Sequence, residues 1–189
     1  TRVQKALDSI HGVDLNPFAV AISRFRLLVA ALQASDVHRL NEAPDFKIHV
    51  AIGDSLLHGK RFGLTATDDM FQHADHFADT GLAHAYASED LAEVQVILDR
   101  QYHVVVGNPP YIVVEDAKLN SAYRQRYVSC QGQYSLGVPF TERFFDLAVS
   151  GRSGPDAGYV GLITTNSFMK REFGPKLVKE VLPGFDMTH

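Results

Sequence analysis

Cysteine and surplus positive charge are what this chain most plainly has little of. The one cysteine in 189 residues, Cys130, has no partner for an internal disulfide, so the fold is expected to stand on its packed core. Lysine and arginine number 18 against 22 aspartates and glutamates, a formal net charge of -4. A domain that grips duplex DNA through its phosphates carries a basic patch, so this stretch is not expected to be the main DNA-holding part of a protein. The balance leaves open whether it meets DNA at all. No secretory pattern, internal repeat or low-complexity tract is present, and no apolar run reads as long enough to span a bilayer. What remains, 46% hydrophobic and 21% charged, is the composition of one globular domain with a sizeable core, and a cytoplasmic location is the expectation.

Along the chain, extended and helical signals alternate. Ser9 to Val13 reads as a strand ending in Asp14, after which Asn16 and Pro17 are a helix cap and first helical position. Phe18 to Leu32 is apolar on most of its circumference, which predicts a largely covered helix. Lys47 to Ile52 predicts a second strand, running into Gly53 and Asp54. About 57–87 is polar and without a period, and reads as an insertion or long loop. Ser88 is expected to cap a helix reaching Asp99. His103 to Val106 reads as a buried parallel strand, broken at Gly107 by Asn108-Pro109-Pro110-Tyr111. Helices over Ser121–Tyr127, Pro139–Val149 and Phe168–Val181 and a strand over Tyr159–Thr164 complete the pattern. Such alternation predicts an open α/β sheet, parallel and doubly wound. In such sheets ligands lie beyond the carboxyl ends of the strands, where Asp14, Asp54 and Asn108 are expected.

Each of these residues has a chemical reading and a plainer one. A carboxylate such as Asp14 at a strand end can pair with both ribose hydroxyls of a nucleoside cofactor, with Leu15 against the base, or it can merely cap the next helix. Asp54, followed by Ser55, can accept from a cofactor amino group or close a turn. The Asn108 side-chain oxygen and the Pro109 carbonyl, held rigid by Pro109 and Pro110, make two fixed acceptors for a planar, conjugated amine, and Tyr111 offers a ring on which a base can stack. Asn-Pro-Pro-Tyr taken alone can also be only a loop after a strand.

Taken together, Gly12-Val13-Asp14-Leu15-Asn16-Pro17-Phe18-Ala19, Gly53-Asp54-Ser55-Leu56 and Gly107-Asn108-Pro109-Pro110-Tyr111 resemble successive motifs of N6-adenine DNA methyltransferases. More narrowly, they resemble those of the large phage-growth-limitation (BREX-type) methyltransferases. The likeness continues through Phe144-Phe145-Asp146-Leu147-Ala148 and Gly161-Leu162-Ile163-Thr164-Thr165-Asn166-Ser167-Phe168. It implies a Rossmann-like class I methyltransferase sheet, S-adenosylmethionine as cofactor, and an adenine flipped out of duplex DNA as target. It also implies a phage-defence or restriction-modification setting, with other defence proteins as possible partners. In that family an aromatic from the Phe144-Phe145 segment lines the cofactor adenine pocket. The family's first motif, a strand and a Gly-rich turn, would precede Thr1, and the target-recognition region would follow His189. Residues 1–189 are therefore expected to be an internal part of the catalytic domain, starting within the helix after that first strand. A protein glutamine amide or an RNA base is the alternative target, since the two acceptors suit any planar amide-like nitrogen. A binding fold without catalysis is disfavoured, because Asn108, Asp14 and Asp54 are all intact.

Weaker signals remain. His58, Asp69, His73, Asp75, His76 and His84 match no standard metal spacing, and no metal is expected. Arg124, Arg126, Lys170 and Arg171 read as surface charges on helices rather than phosphate contacts.

Overall fold

The computed structural model describes residues 1–62, 89–150, 156–165 and 174–187. The chain divides into two compact units, Thr1–Gly59 with Gly81–Leu98 and Lys60–Thr80 with Asp99–His189.

The first unit opens with a short helix, α1 (Arg2–Leu7), capped by the Thr1 hydroxyl. Strand β1 (His11–Asp14) follows, then α2 (Pro17–Ala34), which starts where Asn16 and Pro17 predict. The Asn16 side chain accepts from the N–H groups of Phe18 and Ala19, and Pro17 fills a position whose missing N–H costs nothing. β1 pairs in parallel with β2 (His49–Ile52), in register from His11 opposite His49 to Asp14 opposite Ile52. α2 and α3 (Leu91–Leu98) both pack on this pair. Val20, Ala31, Val50, Ala51, Val94 and Ile97 form the centre of the core. Arg24, on α2, donates from Nε to the Val50 carbonyl at 2.6 Å and from Nη2 to Glu93 at 3.1 Å, tying the helix to both neighbours.

Three expectations need correction here. α2 is not largely covered: Phe18, Ile22 and Phe25, spaced to share one side, are 77%, 60% and 65% exposed, because the elements that pack on the helix, β1, β2 and α1, leave that side open. With 18 residues, α2 is also long and apolar enough, by length and composition alone, to cross a bilayer, contrary to the reading that no run reaches that length. α3 begins later than a Ser88 cap would allow. Asp90 starts it, its carbonyl taking the Val94 N–H at 2.9 Å and its carboxylate the Glu93 N–H at 3.4 Å, while Ser88 lies outside the described residues.

In the second unit β3 (Val104–Gly107) pairs in parallel with β4 (Tyr159–Leu162), from Val104 opposite Tyr159 to Gly107 opposite Leu162. Between them lie α4 (Ala117–Arg126), capped by Asp116, and α5 (Gly137–Leu147). α4 starts earlier than the expected Ser121 because the Asp116 carboxylate accepts from the Leu119 N–H at 2.8 Å. α5 starts before Pro139, which sits in its first turn, where no N–H is needed. β3 departs from the expectation of a strand buried on both faces. Val105 is buried under α5, yet Val104 and Val106 are 60% and 72% exposed, as are Tyr159 and Ile163 at 76% and 65% beside them.

α5 carries buried charge. Arg143 and Asp146 pair at 2.9 Å with both side chains fully buried, and Arg61 reaches Glu142 at 2.8 Å and Asp146 at 3.1 Å. Arg143 also donates to the Lys60 carbonyl, Asp146 accepts from the Phe62 N–H, and Glu142 accepts from the Ser129 backbone and hydroxyl. The start of the expected 57–87 loop is thus clamped: Leu57 is in the core of the first unit, and residues 60–62 are fastened to α5. Its remainder from residue 63 lies outside the described residues. The expected Phe168–Val181 helix is described only from Gly174, as an α turn at Gly174–Lys176, a π turn at Leu177–Val181 and a 3-10 turn at Leu182–Gly184.

Candidate active site

Gly107 closes β3, and Asn108 and Pro110 are exposed while Pro109 is buried between them. The segment is held from both ends. The Ile163 N–H, just past β4, donates to the Gly107 carbonyl at 3.2 Å, and the Leu136 N–H donates to the Ile112 carbonyl at 2.9 Å. Phe144, on α5, lies against Gly107 so closely that a Cβ there would sit 2.5 Å from the ring's Cζ. Only glycine lets the aromatic ring rest on the strand end. Phe144 also meets Phe140 edge-on at 5.9 Å, whereas Phe145 is stacked on Phe185 with centroids 3.9 Å apart. The Tyr111 ring is 43% exposed, and its hydroxyl lies 3.1 Å from Asn108 Oδ1 and 3.1 Å from the Ile163 carbonyl oxygen. The hydroxyl contacts were not foreseen, since the sequence offered Tyr111 only as a ring.

In the first unit Asp14 and Asp54 meet at one sheet edge. The Gly53 N–H donates to the Asp14 carbonyl at 3.0 Å, which continues the β1–β2 ladder by one bond and sets Asp54 beyond it. Asp14 is exposed, and its Oδ1 accepts from the Asn16 N–H at 2.7 Å. Asp54 is buried, with Oδ1 accepting from the Leu56 and Leu57 N–H groups at 2.8 and 3.2 Å, as in the turn-closing reading. Leu15 and Ser55 beside them are half-buried. A Cβ on Gly53 would stand 2.5 Å from a Val94 methyl, so the turn depends on that glycine. Asn108 follows β3 in the other unit, at the carboxyl end of its own strand.

Glu89 is the residue that sequence reasoning missed. Its Oε1 accepts from the Asp54 N–H at 2.7 Å and its Oε2 lies 2.9 Å from His58 Nε2, the two side chains being 3% and 15% exposed. The sequence places it in Ser-Glu-Asp before a helix, indistinguishable from an ordinary capping run. His58 is accordingly not in a solvated loop as expected; it pairs with Glu89. The other histidines and aspartates of that loose cluster lie outside the described residues. Arg124 is exposed on α4, donates to Asn120 at 2.6 Å and to the Gly132 carbonyl, and lies over the Tyr134 ring. Lys170 and Arg171 lie outside the described residues.

The chain is similar in sequence to known proteins. Adenine-specific methyltransferase PglX of Streptomyces coelicolor is 51% identical over 187 residues, covering 94% of this chain and 15% of that protein. Type II methyltransferase M.XhoI of Xanthomonas vasicola is 34% identical over 94 residues, 49% of this chain and 16% of that protein. The type II restriction enzyme and methyltransferase RM.Eco57I of Escherichia coli is 26% identical over 175 residues, 90% of this chain and 15% of that protein. The chain thus spans about 15% of the length of the curated relatives it matches. The Eco57I restriction-modification methylase model matches residues 8–182, nearly the whole sequence and all of the strand ends described above. By that match, the chain belongs to the Eco57I restriction-modification methylase family.

Proposed function

We propose that this chain forms part of the catalytic domain of an enzyme that transfers a methyl group from S-adenosylmethionine to N6 of adenine in DNA. Its setting is a restriction-modification or phage-defence system in the bacterial cytoplasm, with other defence proteins as partners. The observation that carries the reading is Asn-Pro-Pro-Tyr at the carboxyl end of β3, with Asn108 exposed and its backbone pinned on both sides. Family membership and the adenine-specific name of the S. coelicolor relative support the choice of target. We place residues 1–189 inside a larger catalytic domain with an insertion at about 57–87, and we take the two parallel strand pairs as parts of one doubly wound, Rossmann-like sheet.

The adenine amine is a poor nucleophile because its lone pair is delocalised into the ring. Acceptance of its two N–H bonds by Asn108 Oδ1 and the Pro109 carbonyl favours the tetrahedral geometry in which that lone pair can attack. Pro109 and Pro110 keep the two acceptors in place, and the Tyr111 ring stacks on the extruded base. Bound S-adenosylmethionine supplies an electrophilic methyl group. Asp14 suits its ribose: one carboxylate oxygen holds the Asn16 N–H, and the other has no partner among the described residues. Leu15, Asp54 and Ser55 flank the same sheet edge and are proposed to meet the adenine end. Phe144 or Phe145 is proposed as an aromatic wall for that adenine, with Phe144 favoured because Phe145 is already stacked on Phe185.

The test is Asn108→Ala in the full-length protein, with N6-methyladenine measured by mass spectrometry of digested duplex DNA. Methylation is expected to vanish while S-adenosylmethionine binding stays within twofold. Turnover retained within ~10-fold, about 1.4 kcal/mol of barrier, would remove the acceptor role.

A further inference from the structure

We infer that the Tyr111 hydroxyl fixes which way the Asn108 amide faces, making Tyr111 a positioning residue through its oxygen as well as a stacking surface. This rests on the acceptor role proposed for Asn108. The hydroxyl oxygen lies 3.1 Å from both Asn108 Oδ1 and the Ile163 carbonyl oxygen, but a phenol has one proton to donate. Donation to either oxygen leaves the other facing a lone pair. A half-turn of the Asn108 amide exchanges Oδ1 and Nδ2 and satisfies everything. Nδ2 then donates to the Tyr111 oxygen, and Tyr111 donates to Ile163. Two hydrogen bonds running in one direction also polarise each other.

The carbonyl at the end of this relay is itself fixed. The Ile163 N–H is bonded to the Gly107 carbonyl at 3.2 Å, immediately before Asn108, so Gly107, Asn108, Tyr111 and Ile163 form a closed ring of contacts. With Nδ2 held by Tyr111, Oδ1 is turned away from Tyr111 as an acceptor. Among the described residues Asn108 has no other side-chain partner to set its orientation. The opposite orientation would point an NH2 group at an incoming NH2 group, two donors face to face. Ile163 contributes only its backbone, so its side-chain identity does not announce the contact.

The experiment compares Tyr111→Phe with the parent full-length protein in steady-state methylation of a duplex containing its target adenine. The ring is kept and only the hydroxyl is lost. The expected result is a fall in kcat of about tenfold, the scale of one hydrogen bond, with KM for DNA and the Kd for S-adenosylmethionine within twofold of the parent. A fall of less than threefold, or a loss carried by KM, would overturn the inference. Asn108→Asp supplies the second arm, because a carboxylate has two equivalent oxygens and needs no orienting. In that background Tyr111→Phe is expected to cost less than twofold, and an undiminished cost would equally overturn it. Should Asn108→Asp be too slow to measure, the kcat and KM comparison of the single variant decides. A parent protein that yields no N6-methyladenine would remove the acceptor role itself. A parent that methylates as well as Tyr111→Phe does would remove only the orienting role.

Discussion

Replacing Gly107 with alanine is expected to slow methyl transfer. The added Cβ would stand 2.5 Å from Phe144 Cζ and 2.8 Å from Cε2, where carbon atoms settle at roughly 3.5 to 4.0 Å. About an ångström must therefore be found. Either the ring swings out and loses its edge contact with Phe140, or the end of β3 shifts and carries Asn108 with it. Overpacking of this kind costs roughly 1 to 3 kcal/mol, and a 1 Å misplacement of a reacting group costs on the order of 100-fold in rate. The assay is single-turnover methylation at saturating S-adenosylmethionine, alongside cofactor titration. The expected outcome for Gly107→Ala is a rate at saturating cofactor lowered about 10- to 100-fold, and any rise in Kd reports displacement of the Phe144 ring proposed as the cofactor wall. Phe144→Leu removes the clashing ring atoms, so at saturating cofactor the double variant should recover most of the lost rate, while its Kd rises with loss of the aromatic wall. If Gly107→Ala keeps its rate within twofold, or the double variant is no faster than the single one, the strand end is not coupled to the ring as described.

Three further outcomes are expected. Asp14→Ala should weaken S-adenosylmethionine binding by about 2 to 3 kcal/mol, the worth of hydrogen bonds to a charged acceptor, and an unchanged Kd by calorimetry would reduce Asp14 to a local turn residue. Arg143→Ala should destabilise the protein by roughly 1.5 to 3 kcal/mol by removing one of the two buried cations on Asp146, which Arg61 and the Phe62 N–H still hold, a loss that Arg143→Met does not spare, and denaturant unfolding would measure it. Burial pushes the Cys130 thiol up to about 12 from an ordinary 9.0. The unfolded chain then releases that proton at lower pH, so the thiol's contribution to stability is present below about pH 9 and is lost as pH rises towards about 12. Iodoacetamide at pH 8 should label Cys130 only in denaturant, and rapid native labelling would contradict its burial.

What was legible beforehand was local. Asn16 and Pro17 announce α2 because a cap and a fixed φ act within one turn, and Pro109 and Pro110 announce the end of β3 because neither can continue it. Strand ends at Asp14 and Gly107 followed from the same kind of signal. Partners far apart in sequence were not legible. Glu89 reaches Asp54 across 35 residues, and Arg61 reaches Glu142 across 81, and charged residues in a polar stretch read as solvated until the fold brings them together. The covering of α2 and β3 was over-read for a related reason, since apolar composition tells that a face wants burial but not which face has found it. Tyr111 was half legible: its ring follows from its place in the motif, whereas its hydroxyl depends on a backbone carbonyl 52 residues away.

The clamp formed by Arg61, Phe62 and Asp146 also bears on how such chains diversify. Phe62 is fastened to α5 on one side, and Glu89 is fastened to Asp54 and His58 on the other, each within its own unit. Each fastening includes a backbone N–H held by a carboxylate, that of Phe62 by Asp146 and that of Asp54 by Glu89. These two bonds depend on the backbone of Phe62 and Asp54 and not on their side chains, so substitution at either position by a residue that keeps its N–H leaves the bond available, whereas loss of Asp146 or Glu89 removes it.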